Sequence, residues 1–211
     1  MKVAVRNLIY IPIVHTQADM GSLQSAAKRE FLKKYPKSNW DEHTSAIQEF
    51  WDGLAERIMG LEWEYPRTHI YQDGLPVCGK ELQIVTELAQ KGSRNHQLVL
   101  RLVEKGAQLE GTESPQLLLQ EYQLLQAVFS ATEGEQREAA AAAYRARAAP
   151  LLEERDEYIR QQIGTSLPDE GRGLLFIGLT HRVDEGLPSD IHVAYLIHNL
   201  PFKRDGVINR L

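Results

Sequence analysis

Apolar residues along this chain fall into short continuous runs and into longer stretches at helical spacing, and the two kinds alternate. Asn7 to Val14 is almost wholly apolar and rich in β-branched and aromatic residues, which predicts a strand covered on both faces. Pro12 within it points to an edge position or a strand end. A helix is expected from about Ser22 to Lys34, stopped by Pro36, and another from Asp41 or Thr44 to about Met59. In the second, Ile47, Phe50, Trp51, Leu54, Ile58 and Leu61 share one face, so Trp51 reads as core. A short strand is expected at Arg67 to Tyr71, then helices near Lys80 to Gln90 and Asn95 to Glu104, with Gly92 and Gly106 as stops. Ala107 to Glu110 reads as a third strand, and Ser114-Pro115 as the cap and first position of the next helix. Thr132 to Arg147, dominated by Ala, Glu and Arg, predicts a helix with little bulky apolar surface, an arm or hairpin. Pro150 predicts a break or kink before Leu151 to Ile163 continues. Gly173 to Ile177 is the clearest buried strand, Ile191 to Ile197 the last, and Lys203 to Leu211 reads as a loosely held extension.

Strands alternating with helices predict an α/β protein with a largely parallel or mixed central sheet flanked by helices. The length of 211 residues fits a single α/β domain over 1–211, with 132–150 a helical arm or insertion within it. At 43% hydrophobic and 25% charged residues, the chain can bury a core without staples. A net charge of -5 argues against a nucleic-acid partner. The first apolar run is too short for a membrane span, so no membrane partner is expected. A lone cysteine, Cys78, rules out an internal disulfide and fits a cytoplasmic location. Cys78 lies near a helix start, where a thiol is activated, but reads better as a small buried residue.

In open α/β sheets, ligands bind outside the carboxyl ends of the strands. The residues just after the predicted strands are His15, Asp73, Glu110 or Glu113, His181 and His198. His181, in Gly178-Leu-Thr180-His181, is the foremost candidate, and His15 follows. His43, His69, His96 and His192 read as surface or structural residues. Two chemistries fit. Histidines and carboxylates can bind a divalent metal and activate water, with His15, Asp73, Glu113 and His181 as the ligand set. Alternatively a histidine acts as general base and a carboxylate orients it. Arg155 falls on the apolar face that Leu151, Leu152, Ile159 and Ile163 define, so it needs an acidic partner such as Glu113 or an anionic substrate group.

Arg155-Asp156 on a helix, followed by Leu174-Leu-Phe-Ile-Gly178-Leu-Thr-His181, resembles the TraB, Tiki and erythromycin-esterase-like (ChaN-like) superfamily. There a helix with an Arg-Asn or Arg-Asp pair precedes a strand ending in Gly-x-x-His. Ile11-Pro12-Ile13-Val14-His15 is similar in position to the family's first motif, with Pro12 standing where the family has Gly and Ile13 where a Glu can stand. The resemblance implies a metal-dependent or histidine-dependent hydrolase-like site, with His15, Asp73, Arg155 and His181 around one cleft.

The leading expectation is a hydrolase-like protein, with or without a divalent metal ion, acting on a small molecule or peptide. His15 and His181 would be base or ligands, Arg155 would position or neutralise, and Arg155 and Thr180 would touch substrate. The replaced Glu motivates the alternative, a non-catalytic ligand-binding or regulatory protein on the same scaffold. A structural subunit that self-associates through Thr132 to Arg147, a homo-oligomer, is the third reading.

Overall fold

The computed structural model describes residues 5–16, 19, 21, 23–131 and 134–198. The Lys203 to Leu211 extension, and Thr132 at the start of the Ala-rich segment, lie outside them. Five strands form one all-parallel sheet: β1 (Arg6–Ile13), β2 (Thr68–Gln72), β3 (Gln108–Glu110), β4 (Arg172–Gly178) and β5 (Ile191–Tyr195), in the order β3-β2-β4-β1-β5. The helices are α1 (Gln24–Lys34), α2 (Lys37–Met59), α3 (Glu81–Gln90), α4 (Arg94–Glu104), α5 (Pro115–Ser130) and α6 (Glu135–Ser166).

The sheet is covered on both faces, which explains the unbroken apolar runs. In β4, Leu174 and Phe176 join α2 and α4 side chains such as Leu54, Leu98 and Leu102 in one core. Leu175 and Ile177 point the other way and pack with Ile159 and Ile163 of α6.

Sequence expectations for β1, α2 and α6 need correction. Pro12 does not mark an edge, because β1 is paired on both sides. Tyr10 C=O accepts from Leu196 N–H on the β5 side. Backbone groups two residues on point the same way, so the Pro12 nitrogen faces β5 beyond the last paired residue, Tyr10, where no N–H is needed. Helix α2 begins at Lys37, ahead of both expected caps. Pro150 breaks nothing: α6 runs through it from Glu135 to Ser166 and packs against α5 as a hairpin.

The topology positions the site. From β1 the chain crosses to β2 through α1 and α2, and from β2 to β3 through α3 and α4. Right-handed crossovers put both connections on one face. From β4 it turns the opposite way to β5, on the α6 face, where Pro188 meets Gly164. The loop after β4 therefore diverges from those after its two neighbours, β1 and β2. That switch point leaves a crevice at the strand ends.

Candidate functional site

The loops after β1, β2 and β4 bring His15, Asp73 and His181 together. Each is held by its own framework. Trp51 Nε1 on α2 donates to Val14 C=O at 3.0 Å, and the Asp19 carboxylate accepts from Thr16 N–H at 2.6 Å, so both sides of His15 are pinned. Asp73 N–H donates to Phe176 C=O at 2.9 Å, tying the end of β2 to β4. Tyr10 OH donates to His181 C=O at 3.1 Å, and Arg160 on α6 braces the same loop through the carbonyls of Arg182 and Glu185.

Asp73 is the hub. Its Oδ2 accepts from Gly178 N–H at 2.8 Å and lies 3.2 Å from His15 Nε2 and 3.7 Å from His181 Nε2. Its Oδ1 takes Arg155 Nη2 at 3.1 Å. Burial opposes the charge, but His15, with His181 and Arg155, holds the carboxyl well below its ordinary range. For His15, burial disfavours the imidazolium, yet Asp73 outweighs it and the pKa rises from 6.5 to about 9. The His15 side chain stays 46% exposed, so the cation is presented to solvent.

His181 is 4% exposed beneath it. Its Nδ1 is hydrogen-bonded to Asp156 Oδ1, and Asp156 Oδ2 also takes Arg182 N–H at 2.8 Å. That carboxylate fixes which ring nitrogen faces inward, leaving Nε2 toward Asp73. Burial lowers the His181 pKa, but Asp156 and Asp73 raise it further, so it ends above 6.5.

Gly178 makes the meeting possible. A Cβ there would sit 2.9 Å from Asp73 Oδ2 and 3.2 Å from His15 Nε2. A side chain at this position requires Asp73 and His15 to shift.

Arg155 confirms its expected acidic partner and adds two. Nε and Nη2 fork onto Glu113 at 2.6 and 2.7 Å, while Nη1 reaches Glu121 at 2.6 Å and Nη2 reaches Asp73. Glu113, fully buried, also accepts from Gly74 N–H at 2.7 Å. The guanidinium thus occupies the position between Asp73 and Glu113 that a shared cation would need. Among the described residues, no three His, Cys, Asp or Glu side chains are arranged to hold a metal ion.

Thr180 is exposed in the turn between Gly178 and His181. Glu110 pairs with His69 at 2.7 Å, and His198 meets Phe50 edge-on and packs against Gly53. Cys78 is exposed rather than buried, because its turn is organised by Glu81, which caps the Cys78 and Gly79 N–H groups.

Sequence reasoning missed three participants. Asp156 was visible only as half of the Arg155-Asp156 pair. Glu121 lies on α5 with nothing local to mark it. His96 reads as structural but belongs to a cluster at the start of α4: Ser93 Oγ donates to Asp19 at 2.5 Å and meets His96 Nδ1 at 2.7 Å. Burial raises the Asp19 pKa, but His96, Ser93 and His15 bring it below its ordinary value. Asp19 therefore connects His15 to α4.

Compared with known proteins, the chain matches no family model, no curated protein and no solved structure. The case for function rests on the geometry. No helix among the described residues is long and apolar enough to cross a membrane.

Proposed function

We propose that this protein is a hydrolase-like enzyme whose His15 and His181 divide acid and base duties across Asp73. The observation that carries the reading is one buried carboxylate facing two imidazoles, one of them backed by Asp156. Sites that run acid and base chemistry together place two titratable groups in environments that set their roles apart. His15, with its pKa at about 9, is an imidazolium at neutral pH and acts as proton donor. His181, once neutral, offers Nε2 as base, and Asp156 stabilises the imidazolium that forms.

In hydrolysis of an ester or amide, the water oxygen attacks the carbonyl carbon and its proton passes to His181 Nε2. The bond to the leaving oxygen or nitrogen breaks, and that atom takes a proton from the His15 imidazolium. Proton exchange with solvent resets the pair. Arg155 acts beneath them as a positioning residue, holding Asp73 and Glu113 in place.

A metal held by the full set His15, Asp73, Glu113 and His181 would have to displace Arg155 from its fork onto Glu113, so we favour the histidine-based chemistry. Kinship with the TraB and erythromycin-esterase-like proteins is part of this proposal and rests on Arg155-Asp156 and Gly178-Leu-Thr-His181. The test is hydrolysis of ester, amide and phosphate panels, with bound metal measured in parallel. Turnover that falls on the order of 10²-fold or more in both His15→Ala and His181→Ala supports the assignment. Wild-type rates in both variants would remove it.

A further inference from the structure

On the α2 and α4 side of the sheet, beside His15, hydrogen-bonding capacity goes unused in a place where it is expensive. Gln72 ends β2 two residues after Ile70 and shares its face, the face that packs against α4. Its Nε2 donates to Asp73 C=O at 3.1 Å, but its Oε1 is buried and has no partner among the described residues. Asn95, in the first turn of α4, lies with Leu98, Val99 and Leu102 on that helix's buried face. It is fully buried, and both its Oδ1 and Nδ2 are unpartnered among the described residues. The Thr16 hydroxyl, next in sequence to His15, is in the same state.

Buried polar atoms without partners are rare in folded proteins, because each forfeits its hydration without a replacement bond. Gln72 at the end of β2 and Asn95 at the start of α4 belong to the same side of the sheet, the side that α4 covers. The start of α4 is fixed by the Ser93 and Asp19 contact. The unmet groups are specific in kind. Asn95 offers an unpaired donor and an unpaired acceptor, and Gln72 an unpaired acceptor.

We propose that Gln72 and Asn95 form the recognition site for an uncharged primary carboxamide carried by the substrate. A carboxamide oxygen accepts from Asn95 Nδ2, and its two N–H bonds serve Asn95 Oδ1 and Gln72 Oε1. A carboxylate supplies no donor for the two acceptors, and an ammonium ion supplies no acceptor for Asn95 Nδ2. The nearby cations, Arg155 and His15, are already matched by Asp73, Glu113, Glu121 and Asp19, so no unpaired positive charge invites an anion. The inference rests on the hydrolase reading for its context, since it names the substrate class of that site.

Propionamide, propionate and propylammonium serve as probes, with thermal midpoints and backbone NMR shifts as readouts. Propionamide is expected to shift the α4 N-terminal and β2 amides and to raise the midpoint, with the two ions at least tenfold weaker. Asn95→Leu replaces an unsatisfied group by an apolar one of similar shape, whereas Gln72→Met removes the unpaired acceptor together with the bond to Asp73 C=O. Asn95→Leu is expected to raise the ligand-free midpoint by about 2–4 °C, Gln72→Met to leave it within about 2 °C, and both to abolish the propionamide response. Equal binding of propionate, or a fall in midpoint in both variants, overturns the proposal, because a fall means those groups are already satisfied in the folded chain. His15→Ala separates the two claims: it should lose hydrolysis and keep the propionamide response. Failure of hydrolysis alone therefore leaves the recognition site standing.

Discussion

Asp156 grips the β4 loop at two adjacent points, the His181 ring and the Arg182 backbone N–H at 2.8 Å. The same carboxylate therefore sets the tautomer of His181 and the path of the loop that carries it. Asp156→Asn preserves shape but can present a donor instead of an acceptor to Nδ1, which turns the wrong nitrogen inward. We expect hydrolysis to fall on the order of 10²-fold or more with the fold retained. Steady-state kinetics with circular dichroism checks this; a variant as active as wild type shows that the tautomer does not matter.

The pH profile follows from the two histidines. The proposed mechanism requires His181 neutral and His15 protonated. The His181 pKa lies above 6.5, so the rising limb sits above that of an ordinary histidine. The His15 pKa is about 9, so activity declines as pH passes that value. A bell on the alkaline side of neutrality is the expected form of kcat/KM against pH. A plateau that persists through pH 10 would remove His15 as the acid.

Arg155 is a structural commitment, held by Glu113, Glu121 and Asp73. Arg155→Met leaves Asp73 and Glu113 buried without their partner, with a loss of about 3–5 kcal/mol in stability expected. Denaturant unfolding measures it. Arg155→Lys keeps the charge but not the fork onto Glu113, so it should fall between wild type and Arg155→Met. Wild-type stability in both would mean the charges are compensated elsewhere.

Gly178→Ala tests the crowding at the centre. The added methyl would meet Asp73 Oδ2 at 2.9 Å and His15 Nε2 at 3.2 Å. Relief requires the Asp73 and His15 side chains to move out of their present contact. We expect destabilisation of about 1–3 kcal/mol, an overpacking cost, and a larger loss of hydrolysis than of stability. Equal activity with unchanged stability would show that these side chains move apart freely.

The apolar rhythm made the architecture legible because the centre of the sheet is covered on both faces, so β1 and β4 read as nearly unbroken apolar runs. His15, Asp73 and His181 follow β1, β2 and β4, and Arg155 betrayed itself by lying on an apolar helix face. What stayed hidden depends on contacts distant in sequence. Pro12 looked like an edge marker because the sequence does not say where β5 stops pairing. Pro150 is tolerated inside α6 although its position predicted a break. Asp156 and Glu121 acquire their roles only when α5 and α6 fold back over β2 and β4. The protonation of His15 was equally invisible, since it depends on Asp73, which arrives from another strand.

The central claim is that Asp73, shared by two imidazoles, keeps His15 charged at neutral pH. Histidine-ring NMR titration of the wild type and Asp73→Asn tests it without any substrate. The wild-type His15 ring should lose its proton near pH 9, from a reference of 6.5, and Asp73→Asn should bring that midpoint down toward the reference. A wild-type midpoint near 6.5, unmoved by Asp73→Asn, would contradict the account.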